Sequence, residues 1–185
     1  DGHLFYVLIF PTANATWVYD VTTKLWHRRT SWSTTAYRTQ RDLSNCYAFF
    51  NNKHIVGDVN SGKLYMCSTA IYAEGSNPVY RERTLPTITN DLHYMTLRNL
   101  QVDVQSGVGL ATGQGDDPQI MLQANKDGVW GNIIPRSAGR IGVYNQRVRW
   151  NRSDVARTWI LRLSMTDPVQ WSLLSVTADF EQGTQ

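Results

Sequence analysis

The sequence predicts an all-β chain of antiparallel meanders arranged as an incomplete, propeller-like fold. Three observations carry that expectation. Short apolar and aromatic runs alternate with turn residues along the chain, and no segment keeps a 3.6-residue period. Aromatics make up 11%, with seven Trp and nine Tyr, which favours strands. A turn also recurs: Asp20-Val21-Thr22-Thr23-Lys24-Leu25-Trp26 is echoed by Asp58-Val59-Asn60-Ser61-Gly62-Lys63-Leu64-Tyr65. Each copy leaves an apolar run, turns on an Asp whose carboxylate can accept backbone N–H groups two residues on, and re-enters a strand through Lys-Leu-aromatic. The Asp residues lie 38 apart and Trp26 and Tyr65 lie 39 apart. Propeller blades recur at about 40–50 residues. A shorter echo, Asp103-Val104-Gln105-Ser106-Gly107-Val108, follows 45 residues after Asp58.

The elements follow in order. Residues 4–10, 16–20 and 24–30 read as three strands with tight polar turns, and 31–44, rich in Ser, Thr and Arg, as a connecting loop. A second meander is expected at 45–50, 53–58 and 63–68, its first turn being Asn51-Asn52. A connection at Glu74 to Pro78 leads to a charged strand, 79–84, stopped by Pro86. Met95 to Val104 is a longer strand, followed by a Gly-rich loop and a strand from Gln119 to Gln123. Tyr144–Trp150, Arg157–Ser164 and Val169–Phe180 close the chain, the last broken by a bend or bulge. One domain over 1–185 is expected, with blade-like units at 4–30, 45–68, 79–130 and 140–180. Trp26, Tyr65 and Trp130 should be buried between strands or blades.

Composition narrows the function. A hydrophobic content of 42% allows one sizeable core. No run approaches the roughly 18 apolar residues of a membrane span, so no membrane partner is expected. The net charge of +3, with a pI near 9.0, is a mild bias and not a nucleic-acid signature. Cys46 and Cys67 fall on the first and third strands of one meander, roughly 9–10 Å apart, so they should stay unpaired, as suits assembly in a cytoplasm. The chain opens on Asp1-Gly2-His3 and passes straight into a strand, which reads as a fragment or processed product.

Candidate sites are few. Asn125 to Trp130 resembles a shortened Asp-box lacking its Ser, in which Asp127 and Gly128 close a hairpin and Trp130 anchors it. With Asp20, Trp26, Asp58 and Tyr65, Asp127 and Trp130 make up the expected turn and blade anchors. Glycosidase chemistry needs two positioned acids, or a Tyr/Glu pair with an arginine cluster. Only Glu74, Glu82 and Glu181 exist, and Glu82 between Arg81 and Arg83 reads as an ion pair, so no enzyme and no catalytic residue is expected. His3, His27, His54 and His93 lack metal-ligand spacing. Asp116 and Asp117 before Pro118 read as a solvated turn before a calcium site. No cofactor is expected. Asn14-Ala15-Thr16 and Asn151-Arg152-Ser153 fit the glycosylation pattern, with nothing to suggest secretion. Arg147 and Arg149 alternate with Val148 and Trp150, giving a basic face for a partner subunit or DNA, with Arg136, Arg140, Arg152, Arg157 and Arg162 nearby in sequence.

The run from Asn45 to Asp58, continued by Ser61 to Tyr65, Arg81 to Thr84, Leu100 to Asp103, Gly113 to Gln119 and Ser164 to Val169, resembles the packaged-DNA stabilisation proteins of short-tailed bacteriophages, the tail hub or nozzle. The similarity spans most of 4–180, in what corresponds to the C-terminal part of longer proteins. It implies a structural virion protein with a propeller-like core, assembled in the host cytoplasm as a hexameric ring. The implied partners are the portal adaptor, the tail needle or plug and the tailspike, while the mild charge and dispersed arginines point to no more than weak, non-specific contact with duplex DNA. The ring would close the portal channel after packaging and conduct DNA at ejection. The rival class is a carbohydrate-binding adhesin using exposed aromatics such as Trp32 or Trp171.

Overall fold

The computed structural model describes residues 2–91, 93–151 and 154–183. Among them every regular element is a strand, and every strand pairing is antiparallel. Where one domain was expected, the chain divides into two compact units, 1–80 and 81–185.

The first unit repeats one pattern twice. β1 (Phe5–Phe10), β2 (Ala15–Asp20) and β3 (Leu25–Arg28) form a three-stranded meander, followed by the hairpin β4 (Thr30–Ser33) and β5 (Arg38–Arg41). β6 (Ser44–Phe50), β7 (Lys53–Asp58) and β8 (Leu64–Cys67) repeat the meander, and β9 (Ala73–Glu74) with β10 (Asn77–Pro78) the hairpin. The hairpin at 30–41 replaces the expected loop. Its Ser/Thr-rich strands lack an apolar alternation because both faces carry polar groups, and Ser31, 3% exposed, donates its hydroxyl to Glu74 at 2.7 Å.

Both Asp turns are built alike. Asp20 Oδ1 accepts the Thr22 N–H at 2.9 Å and Oδ2 accepts the Thr23 hydroxyl at 2.7 Å. Asp58 Oδ1 accepts the Asn60 N–H at 2.8 Å and Oδ2 accepts the Ser61 hydroxyl. Each following Val N–H then donates to the Leu that precedes its meander, Val21 to Leu4 at 2.8 Å and Val59 to Leu43 at 2.9 Å.

The strand registers place Asp20 opposite Leu25 and Asp58 hydrogen-bonded to Lys63, so the two four-residue loops superpose without a gap. Trp26 is therefore the counterpart of Leu64, not of Tyr65. A one-residue slip reverses the side chain's face. Trp26 stands beside Tyr19 and is 53% exposed, whereas Tyr65 lies opposite Val56 and is half-buried. The expected burial of Trp26 does not hold.

The second unit is a two-sheet sandwich. One sheet joins β11 (Arg81–Thr84), β12 (Ile88–Thr89), β14 (Gln119–Lys126), β15 (Val129–Trp130), β16 (Ile134–Ser137) and β19 (Thr158–Met165). The other joins β13 (Met95–Val104), β17 (Val148–Asn151), β18 (Val155–Ala156) and β20 (Leu173–Gln182). The expected blades 79–130 and 140–180 are not separate objects, since β13 pairs with β17, β18 and β20, and β14 with β19. The third turn echo also dissolves. Asp103 sits inside β13 and caps no turn there, its carboxylate accepting from Gln101 and Ser175.

Alternation along each strand, reset in β13 by a bulge between Leu97 and Asn99, sends Leu97, Leu100 and Val102 of β13 and Val148 and Trp150 of β17 inward to meet Ile120 and Leu122 of β14 and Trp159, Leu161 and Leu163 of β19. Trp159 is fully buried, donates its indole N–H to the Met95 carbonyl at 3.3 Å, and lies edge-on to Phe180 at 5.8 Å. The Trp150 indole donates to the Ile134 carbonyl at 3.0 Å. Among the described residues, the connected apolar core lies in this unit.

Candidate interaction surfaces

Both meanders of the first unit leave apolar side chains exposed, Phe5, Leu25, Tyr47 and Phe49 on one face among them, and the opposite face is apolar in both copies. In the first copy Thr16, Val18 and Asp20, on the face of Phe5, are 5% exposed or less. The opposite face carries Tyr6 paired with Tyr19 and Trp26, and Leu8 paired with Trp17. Tyr6, Trp17 and Trp26 are exposed, and the Tyr19 and Trp26 rings meet at 5.0 Å. The counterparts in the second copy are Cys46, Ala48, Phe50, Ile55 and Leu64, with Phe50 and Leu64 more than 70% exposed. An apolar surface repeated in this way differs from the singly scattered exposed residues of an ordinary monomer.

Asp20 shows how firmly the turn is held. Burial pushes its carboxyl pKa up. Hydrogen bonds from the Thr23 hydroxyl, His3 and the backbone of Thr22 and Thr23 outweigh that and hold it at about 2. Asp58 is lowered chiefly by its bonds from Ser61 and Asn60. Asp127 behaves differently from an Asp-box acid. Asp127 and Gly128, with φ of 48° and 91°, form the hairpin's two-residue turn, but Asn125 Oδ1 caps it through the Gly128 N–H at 2.9 Å. The Asp127 carboxylate instead reaches the start of β19, accepting from the N–H groups of Arg157 and Thr158 and the Thr158 hydroxyl. Trp130 is 37% exposed, not buried between blades, and its ring lies 4.0 Å beneath the Arg162 guanidinium.

The arginines do not form one basic groove. Arg147 and Arg149 are exposed while Val148 and Trp150 are buried, as the alternation expects. Arg149 donates to Gln101 Oε1 at 2.8 Å, and both arginines help hold the nearby Asp103 below its ordinary value, after the larger effect of bonds from Ser175 and Gln101. Arg157 covers Tyr94 at 4.5 Å, and Arg136 donates to the Arg149 carbonyl. Such arginine stems and heads serve as covers for aromatics and backbone. Arg152 and Ser153, with the second glycosylation pattern, lie outside the described residues.

The acids and histidines are likewise dispersed. Glu82 faces Arg162 at 3.4 Å across the strand pair, and Glu181 pairs with Arg98. Glu74 accepts from Ser31, and burial followed by the charges of Asp42 and Asp58 raises its pKa against the lowering by that bond. His3 meets Asp20 at 2.7 Å and His54 meets the Tyr47 hydroxyl at 2.8 Å. Asp117 accepts from Ser137 and Gln119, so it closes its loop. Among the described residues no three His, Cys, Asp or Glu side chains converge as metal ligands. Cys46 and Cys67 are free and exposed. Trp32 and Trp171 are half-buried, Trp32 against Tyr80 and Trp171 against the sandwich core, so neither forms an open sugar platform.

A comparison with protein-family models matched residues 80–181 to the family described as bacteriophage P22 Gp10, beta-sandwich. The match begins one residue before the second unit does, and its described fold is the two-sheet architecture found there. The chain belongs to this family. It is therefore a structural protein of a phage tail and a virion component. A comparison with curated proteins found no match.

In the loops that follow β13 and β16, Leu110, Ile141, Val143 and Tyr144 are also exposed, and sequence reasoning did not single them out. The available signal was an apolar run, Ile141-Gly142-Val143-Tyr144, set between Arg140 and Arg147 and free of acids.

Proposed function

We propose that the chain forms part of the tail hub or nozzle, a hexameric ring below the portal and its adaptor. In this reading the ring closes the portal channel after packaging, seats the needle or plug beside the tailspikes, and conducts DNA at ejection. The repeated apolar face of the first unit carries the proposal, since a surface of Trp17, Trp26, Phe50 and Leu64 belongs against protein. The two meander–hairpin repeats would act as blades completed by neighbouring sequence in the assembled protein. Repeats of this kind bury their faces on one another.

DNA retention would be mechanical. Arg149 is engaged by Gln101, and Asp103 offsets the local positive charge, which favours sliding contact over a phosphate-gripping groove. Titration of the purified chain with duplex DNA at increasing salt tests this. Weak binding near physiological salt is expected. Tight, salt-sensitive binding lost in Arg147→Ala/Arg149→Ala would instead make the protein a direct DNA clamp. A carbohydrate-binding adhesin is the rival reading, and its platform would be Tyr6, Trp17 and Trp26. A glycan-array signal lost in Trp26→Ala would favour it.

A further inference from the structure

β13, β16 and β19 all finish at one end of the sandwich, which is built from three loops, residues 105–118, 138–147 and 166–172. The loops are tied to one another and to the adjoining strands. The Gln105 N–H donates to the Ser172 carbonyl at 3.1 Å, the Gln119 N–H to Asp167 Oδ2 at 2.7 Å, and the Ser106 hydroxyl to the Tyr144 carbonyl at 2.9 Å. Glycines permit the close crossings. The Tyr144 ring covers Gly107, where a Cβ would stand 2.5 Å from it, and at Gly109 a Cβ would stand 2.9 Å from the Ile141 nitrogen.

This support presents residues 140–147 as an unbroken exposed run. The Val143 N–H closes a turn onto the Arg140 carbonyl at 3.0 Å, with Gly142 at φ 76°, and Ile141 occupies its corner. Ile141 is 60% and Tyr144 77% exposed, with Val143 and Leu110 exposed beside them. From Ser137 to Trp150 there are three arginines and no acid. Arg149 is engaged by Gln101, and Asp103 at the end of β13 lies near Arg147 and offsets part of its charge, so Arg140 and a partly balanced Arg147 flank the apolar tip. Of the acids in the adjoining loops, Asp117 and Asp167 accept from protein donors, while Asp116 is exposed and accepts the Asp117 N–H.

We propose that this tip is a peripheral membrane contact for a bilayer bearing anionic headgroups. Ile141, Val143, Tyr144 and Leu110 enter the boundary between headgroups and acyl chains, and Arg140 and Arg147 meet the phosphates. Stable peripheral binding takes two signals, one apolar and one electrostatic, and Tyr suits the interfacial layer. Projecting aliphatic side chains have no counterpart in a duplex-phosphate contact, which needs positive charge alone. A loop contact of this kind requires no membrane-spanning segment, and no helix among the described residues could provide one.

The test is co-sedimentation of the full chain with vesicles of phosphatidylcholine, alone or with phosphatidylglycerol. The mixed vesicles should bind more tightly. Ile141→Ser/Val143→Ser/Tyr144→Ser should weaken that binding by about tenfold or more. Arg140→Ala/Arg147→Ala should abolish the preference for phosphatidylglycerol. Circular dichroism and the thermal midpoint verify the fold, and Ile141→Ser alone serves if the triple variant is unstable. Failure to bind the mixed vesicles, or binding indifferent to the apolar substitutions, overturns the proposal. Duplex DNA binding that depends on the arginines but not on Ile141 would make the tip a nucleic-acid surface and overturn it too.

Discussion

Lys24 and Gly62 hold the same place in two copies of one turn, with φ of 58° and 63°. Only glycine takes that left-handed conformation freely, and an L side chain there costs about 1–2 kcal/mol. Lys24→Gly should therefore stabilise the chain by roughly 0.5–1 kcal/mol once glycine's extra unfolded-state entropy is deducted. Gly62→Ala should cost a similar amount. Denaturant midpoints of the two variants check both signs.

Acid should unfold the chain through its turns. Asp20 sits at about 2, and Asp58, Asp103 and Asp127 are also lowered. A folded-state pKa below the unfolded one adds stability that is present above the unfolded value, near 4, and lost as pH falls through the folded value. Stability should drop between about pH 4 and pH 2. Asp20→Asn should flatten part of that slope in urea melts taken across the range.

Glu74 has the opposite sign. Burial and the neighbouring Asp42 and Asp58 raise its pKa, so its contribution favours folding at low pH and is lost as pH rises through the raised value. Glu74→Gln keeps an acceptor for the Ser31 hydroxyl without the charge. It should leave stability at neutral pH unchanged or higher, and thermal melts at pH 5 and pH 8 should differ less than in the parent.

The two units should respond differently to truncation of large apolar side chains. Leu161 is fully buried, and Leu161→Ala should cost about 3 kcal/mol. Leu64, 73% exposed, has little packing to lose among the described residues, so Leu64→Ala should shift the midpoint little and weaken assembly instead. Chemical denaturation and analytical ultracentrifugation of both variants separate these effects.

Much of the fold was legible because its signals are local. Met95–Val104 and Lys53–Asp58 read directly as strands, and Asn51-Asn52, with φ of 47° and 57°, as a hairpin turn. The sandwich was not legible, since β13 meets β20 across some 70 residues of chain and no local pattern encodes that pairing. The face of Trp26 was misread for a related reason. The match of Lys-Leu-aromatic with Lys-Leu-aromatic outweighed the left-handed position that Gly62 marks, and one residue of slip moved an aromatic to the other side of its sheet. The apolar face and the loop tip both arise from juxtaposition, which needs the pairing register first.

Nuclease sensitivity of particles assembled with variant protein tests the central claim most directly. If the channel is closed by assembly through the first unit's repeated apolar face, Trp26→Asp/Leu64→Asp particles should package DNA and then leave it open to nuclease. Arg147→Ala/Arg149→Ala particles should keep it protected. Retention in the face variant together with leakage in the arginine variant would contradict the account.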